Sequence, residues 1–197
     1  ELTAKLLELE EREPRLNVTS NQPSLCVAAS WNQALTRLFT KGAPWALVVN
    51  SDVRLHPKTY EALVATGRDF VTAVSVEKVE QLKEPNFAAA LRPHPDFSCF
   101  LIRREVYLRV GLFDEAFKPA YMEDWDYHRR MKMAGVEAVV MDMPFVHLGS
   151  ATGSRKEVKK ELGYRRVTNE YYKGKWGGWW SAKEGEGEQF VVPFGRS

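Results

Sequence analysis

Three carboxylates, Glu123, Asp124 and Asp126, fall within four positions of "AYMEDWDYHRR", with Tyr121, Trp125 and Tyr127 threaded among them. A carboxylate beside an apolar, aromatic rim suits a general base, because the rim raises its proton affinity into a working range. The same residues also suit the first turn of a helix, where the macrodipole favours negative charge. Asp126 lies at helical spacing from Arg129 and Arg130, which fits a structural ion pair. A further carboxylate, Asp52, ends the apolar run "ALVVNSD". There it could hold Mg²⁺ or Mn²⁺, which take oxygen ligands and often need only one or two carboxylates plus substrate phosphates. It could equally cap the turn that follows. His147 opens the Gly/Ser/Thr stretch "HLGSATGS", where a metal or a phosphate could be met. His56, His94 and His128 have weaker settings. Lys173, Lys175 and Arg155 could neutralise phosphate or form a solvated basic face.

These residues need elements to position them, and the hydrophobic pattern supplies candidates. A first helix around Leu2–Leu9 ends before Pro14, and "RLNVTSN" is a short strand candidate. A helix over about Ser30 to Thr40 stops at Gly42. "WALVV" is a continuous apolar run of strand length, as expected for a strand buried on both faces, and it ends at Asp52. A short helix follows, with Pro57 in its first turn. "DFVTAVSV", "FSCFLIRR" and "VEAVVMD" are further strands. "REVYLRVG" is a short helix capped by Gly111, and Glu123 to Ala134 is a helix stopped by Gly135. The Pro-rich stretch from Val76 to Asp96 reads as loop. A basic helix covers about Ser154 to Tyr172, and a Gly-rich, aromatic tail or flap follows. Strands alternating with helices predict an α/β domain with a mainly parallel central sheet flanked by helices, over 1–172, with 173–197 as the extension. In open α/β sheets, ligands bind beyond the carboxyl ends of the strands, which is where Asp52 falls.

Composition narrows the function classes. A net charge of +2, without a concentrated basic stripe, argues against nucleic acid as partner. No apolar run is long enough for a transmembrane segment. Two cysteines, Cys26 and Cys99, do not make a disulfide framework and read as reduced, buried thiols. With no targeting signal visible, they point to a cytoplasmic location.

Taken together, the motifs make the chain resemble the family 2-like inverting nucleotide-sugar glycosyltransferases of the GT-A fold, over roughly Ser24 to Phe194. "WALVVNSDVRLHP" looks like the family's strand ending in a DxD-type metal motif. "FSCFLIRREVYLRVGLFDEAF" looks like its acceptor-side segment, and "YMEDWDYHRRMKMAG" like the helix that carries the catalytic base. "VHLGSATGS" looks like the loop whose His approaches metal and diphosphate, and "NEYYKGKWGG" is similar to a C-terminal stretch of some small members. The resemblance implies a Rossmann-like sheet, Asp124 as catalytic base, and Glu123 as its support. It implies Asp52 and His147 as ligands of Mn²⁺ or Mg²⁺, and Asn50, Ser51 and Lys175 on the donor side. Trp125 and Tyr121 would lie against the acceptor. The partners implied are a nucleotide-sugar donor and an acceptor glycan, lipid or other hydroxyl compound. Asn50 departs from the family's acidic first position. The family's first, nucleobase-holding strand is expected to lie upstream of this chain.

Two other classes compete with the glycosyltransferase. One is a non-catalytic sugar-nucleotide or glycan-binding module of the same fold, which Asn50 favours. The other is a nucleic-acid-directed protein, for which "KGKWGGWW" would interleave stacking and charge.

Overall fold

The computed structural model describes residues 2–76, 78–82, 89–90, 95–148 and 158–178. In chain order the elements are α1 (Leu2–Arg12), α2 (Val27–Thr40), β1 (Trp45–Val49), β2 (Val53–Leu55), α3 (Thr59–Ala65) and β3 (Phe70–Val76). There follow β4 (Ala89–Ala90), β5 (Cys99–Arg103), α4 (Arg104–Val110), α5 (Glu123–Met133), β6 (Ala138–His147) and α6 (Val158–Trp176). The protein is a mixed α/β structure in three layers. Residues alternate across the sheet with the two-residue strand period. Phe100 and Ile102 of β5 face α2, α4 and α5, packing with Leu35, Phe39, Tyr107, Tyr127 and Met131. Cys99 and Leu101 face the other way, with Ala62 and Leu63 of α3 and with Met143 and Phe145 of β6. The continuous apolar runs are explained by this burial on both faces.

The sheet is six-stranded, in the order β1-β5-β3-β6-β2, with β4 also on β6. The expected mainly parallel sheet is corrected here. Only β3 and β6 run parallel; β1 with β5, β3 with β5, β2 with β6 and β4 with β6 are all antiparallel. Both helical routes between strands join oppositely directed ones: β2 leads through α3 to β3, and β5 through α4 and α5 to β6. Between β3 and β5 the described residues include a 3-10 turn at Val79–Leu82 and the two-residue strand β4, and β5 runs opposite to β3.

This arrangement splits the sheet at one end. β3 pairs with β5 only over Phe70–Thr72, then leaves it and follows β6 as far as Val76. β1 and β2 lie at opposite edges, yet only residues 50–52 join them. Four flat inter-strand gaps would span ~19 Å, and four Cα steps reach at most about 15 Å. The sheet therefore curls, and Asn50–Ser51–Asp52 bridges the split.

Other expectations can be placed. "RLNVTSN" forms no strand; the Val18 N–H is satisfied instead by Glu10 Oε1 at 2.8 Å. The basic helix runs to Trp176 rather than Tyr172, ending at Gly177 with φ of 73°, so Lys173 and Lys175 belong to it. Positions 179–197 of the expected tail, with Arg155, His94 and the whole stretch "GSATGS", lie outside the described residues. Both cysteines are free; Cys99 is buried and Cys26 half-buried. No helix among the described residues is long and apolar enough to cross a membrane.

Candidate functional site

Asp52 and His147 are brought together by the β2–β6 ladder. Val53 sits opposite His147 in the antiparallel register, and the Leu148 N–H donates to the Asp52 carbonyl at 2.8 Å. That pairing leaves His147 Nε2 3.1 Å from Asp52 Oδ2, both side chains half-buried at the split end of the sheet. Asn50 is anchored across the split, its N–H donating to the Ser98 carbonyl at 3.0 Å. Ser51 is exposed at the turn.

The pair supplies one carboxylate oxygen and one imidazole nitrogen. Among the described residues no group of three His, Cys, Asp or Glu is gathered to hold a metal. A two-donor set suits a hard cation that keeps waters and takes the rest of its shell from substrate phosphates, rather than a closed structural site.

The base candidate stands on α5, which is anchored by aromatic packing. Tyr127 stacks on Phe113 with centroids 3.9 Å apart and meets Phe97 at 6.5 Å. The entry to the helix is unusual: Tyr121 and Met122 both adopt left-handed backbone, at φ of 80° and 75°. Each such non-glycine residue costs on the order of 1 kcal/mol and persists only where its surroundings hold it. Here they do. Met122 is buried with Phe117 and Tyr172, and the Arg165 guanidinium lies 4.3 Å over the Tyr121 ring.

Burial raises the proton affinity of both adjacent carboxylates. Burial first, and then the neighbouring Asp124 charge, push Glu123 up to about 8, against opposing main-chain N–H groups of Glu123 and Tyr121. Glu123 is only 6% exposed, and its Oε2 has no hydrogen-bond partner. Burial also raises Asp124. The N–H groups of Trp125 and Asp124 oppose that rise, and the charge of Asp96 adds to it. Asp124 Oδ1 accepts from the Trp125 N–H at 2.8 Å, and its side chain keeps part of its surface exposed. Burial thus raises the proton affinity of both neighbours, and the charge of Asp124 adds to the rise at Glu123.

The remaining expected residues take distinct places. Asp126, 0% exposed, pairs with Arg130 at 2.8 Å as the helical spacing suggests. Trp125 and Tyr121 pack at the rim of the Phe117–Met122–Tyr172 cluster. Lys175 is not beside Asp52: its ammonium is held at 2.7 Å from both Asp114 and Asp126. His128 is buried on α5, and His56 Nδ1 accepts the Lys58 N–H at 3.1 Å.

Two contributors were not foreseen. Asp96 precedes β5, its Oδ1 taking the Ser98 N–H at 2.8 Å, and it adds its charge to the surroundings of Asp124. Because β5 is antiparallel to β1, the start of β5 shares a sheet end with Asp52; a parallel sheet would have put it at the opposite end. Tyr172 of α6 is the other: it is fully buried and feels the charge of Asp124. Neither a family model nor a curated protein matches the chain.

Proposed function

We propose that the protein is a metal-assisted, inverting glycosyltransferase that moves a sugar from a nucleotide-diphosphate donor to an acceptor hydroxyl. The observation that supports this reading is the Glu123–Asp124 pair, two adjacent carboxylates whose proton affinity burial raises, with Asp96 adding its charge from the start of β5, at the sheet end that holds Asp52 and His147. Direct displacement at an anomeric carbon needs a base on the acceptor side and charge stabilisation on the leaving side. Asp124 takes the acceptor proton as the hydroxyl oxygen bonds to the anomeric carbon. The bond to the diphosphate oxygen breaks, its electron pair leaves with the diphosphate, and the configuration inverts. Glu123, whose carboxyl is pushed up to about 8, keeps its proton at neutral pH and adds no second charge. Asp52 and His147 would hold Mn²⁺ or Mg²⁺, whose charge would offset that of the departing diphosphate. Asn50 and Ser51 line the donor side of the turn. Trp125 offers the acceptor an apolar ring surface.

The test is a panel of nucleotide sugars with an acceptor mixture and Mn²⁺, following release of nucleoside diphosphate and the anomeric configuration of the product by NMR. Chelator-sensitive release with inverted product is expected. Retained configuration, or release indifferent to chelator, overturns the mechanism. A second reading, a non-catalytic binding module for sugar nucleotides, is favoured by Asn50 and by the two-donor metal set; nucleotide binding without turnover of any donor would establish it.

A further inference from the structure

We infer that Lys175 is a positioning residue for the Asp124 carboxylate, acting by docking the last turn of α6 onto the first turn of α5. This rests on Asp124 being the base. Every contact in the chain of argument joins α6 to the start of α5 or to the loop before it. The Lys175 ammonium, 7% exposed, bridges Asp114 and Asp126 at 2.7 Å each. Trp176 Nε1 donates to Asp126 Oδ1 at 2.9 Å, the same oxygen that Lys175 meets, and its ring carries the Arg129 guanidinium at 4.5 Å. The Tyr171 hydroxyl donates to Asp114 Oδ2 at 3.0 Å. Further up α6, Tyr172 closes over Met122, and Arg165 covers Tyr121.

The left-handed pair Tyr121–Met122 is therefore held from α6, and it sets the direction in which Glu123 and Asp124 leave the helix start. Asp126 is two residues beyond Asp124 on the same turn, so a contact that fixes one carboxylate fixes the other's backbone. A lone Lys–Asp bridge at this depth would serve only stability. Two carboxylates, an indole and a guanidinium converging on one turn over-determine its position, which is what a base that must meet a hydroxyl within hydrogen-bond reach requires. Asp114 reports the same docking. Burial opposes its ionisation, yet Lys175, the Ala116 N–H and the Tyr171 hydroxyl together hold its carboxyl below the usual range.

The experiment compares wild type with Lys175→Met, Lys175→Arg and Asp114→Asn. In each, the Asp124 carboxyl is titrated by carbon NMR, and the acid limb of the rate profile is measured. If Lys175 positions the turn, its loss opens Asp124 to water, and the titration midpoint falls by about one pH unit or more. If Lys175 acted only as a nearby positive charge, its loss would move the midpoint upward. An upward or unchanged midpoint in Lys175→Met overturns the inference. The kcat should fall about tenfold with donor KM unchanged, and Lys175→Arg should restore both readouts. If Lys175→Met fails to fold, Asp114→Asn carries the test, because it leaves the Asp126 pairs intact and should shift the midpoint in the same downward direction. A downward midpoint without turnover of any donor would sustain the docking role and defeat the glycosyltransferase reading separately.

Discussion

Replacing Glu123 by Gln removes one titration while keeping nearly the same volume and an oxygen for the Tyr121 and Glu123 N–H groups. In the folded protein the carboxyl is pushed from an ordinary 4.5 up to about 8. The unfolded chain releases this proton near 4.5, and the folded chain keeps it until about 8. Stability from this group is thus complete below the lower value and is lost as pH rises through the window between them. At 1.36 kcal/mol per pH unit, the full loss is about 5 kcal/mol, of which about 3 kcal/mol falls between pH 5 and pH 8. The group is buried, so solvent screening does not discount the figure as it would at the surface. Urea unfolding of wild type and Glu123→Gln at pH 5 and pH 8 reads it directly. The variant should gain about 3 kcal/mol on wild type across that range, with unchanged denaturant slope. A difference between the two proteins that is the same at both pH values would refute the reasoning, since it would mean that the Glu123 carboxyl titrates alike folded and unfolded.

Other expectations follow from the elements that carry the site. Asn32, buried on α2, donates to the Phe113 carbonyl and to Glu115 and accepts the Phe113 N–H, at 2.8–2.9 Å; Asn32→Ala should cost about 2–3 kcal/mol in chemical denaturation, because it strands two buried backbone groups. Gly111, at φ of 88° and ψ of −166°, occupies backbone that only glycine adopts freely, whereas Gly135 at φ of 68° is left-handed. Gly111→Ala should therefore lower the melting temperature more than Gly135→Ala, the latter costing about 1 kcal/mol. Equal losses would contradict the backbone argument.

The apolar runs of β3 and β5 were legible because both faces of these strands are largely buried, whereas β1, expected to be buried on both faces, is an edge strand with only Ala46 buried; α4 and α5 were legible because Gly111 and Gly135 stop them. Strand direction was not. Whether "FSCFLIRR" runs with or against "WALVV" depends on pairing partners far along the chain, and the Pro-rich stretch before it carries no signal for either direction. That one error hid Asp96, which only an antiparallel β5 carries to the end where Asp52 stands. The Glu123–Asp124–Asp126 cluster was visible, and helical spacing anticipated the Asp126–Arg130 pair, whereas the burial that raises Glu123 and Asp124 comes from packing that the sequence does not display. Lys175 looked like a phosphate ligand because a sequence shows a charge without its partner. Asp114, 61 positions away, engages it only once α6 has docked. The β2 strand, three residues long, has no periodic signal to read, although it is what sets His147 against Asp52.

The central claim is that Asp124 is the base of a transfer reaction. The measurement that tests it most directly is the transfer rate of wild type and Asp124→Asn on the first donor and acceptor found to react, with donor Kd measured in parallel by calorimetry. The amide keeps the shape and the contact with the Trp125 N–H but cannot take a proton. The expected result is a fall of about 100-fold or more in kcat with donor Kd unchanged. Equal rates in the two proteins would contradict the account.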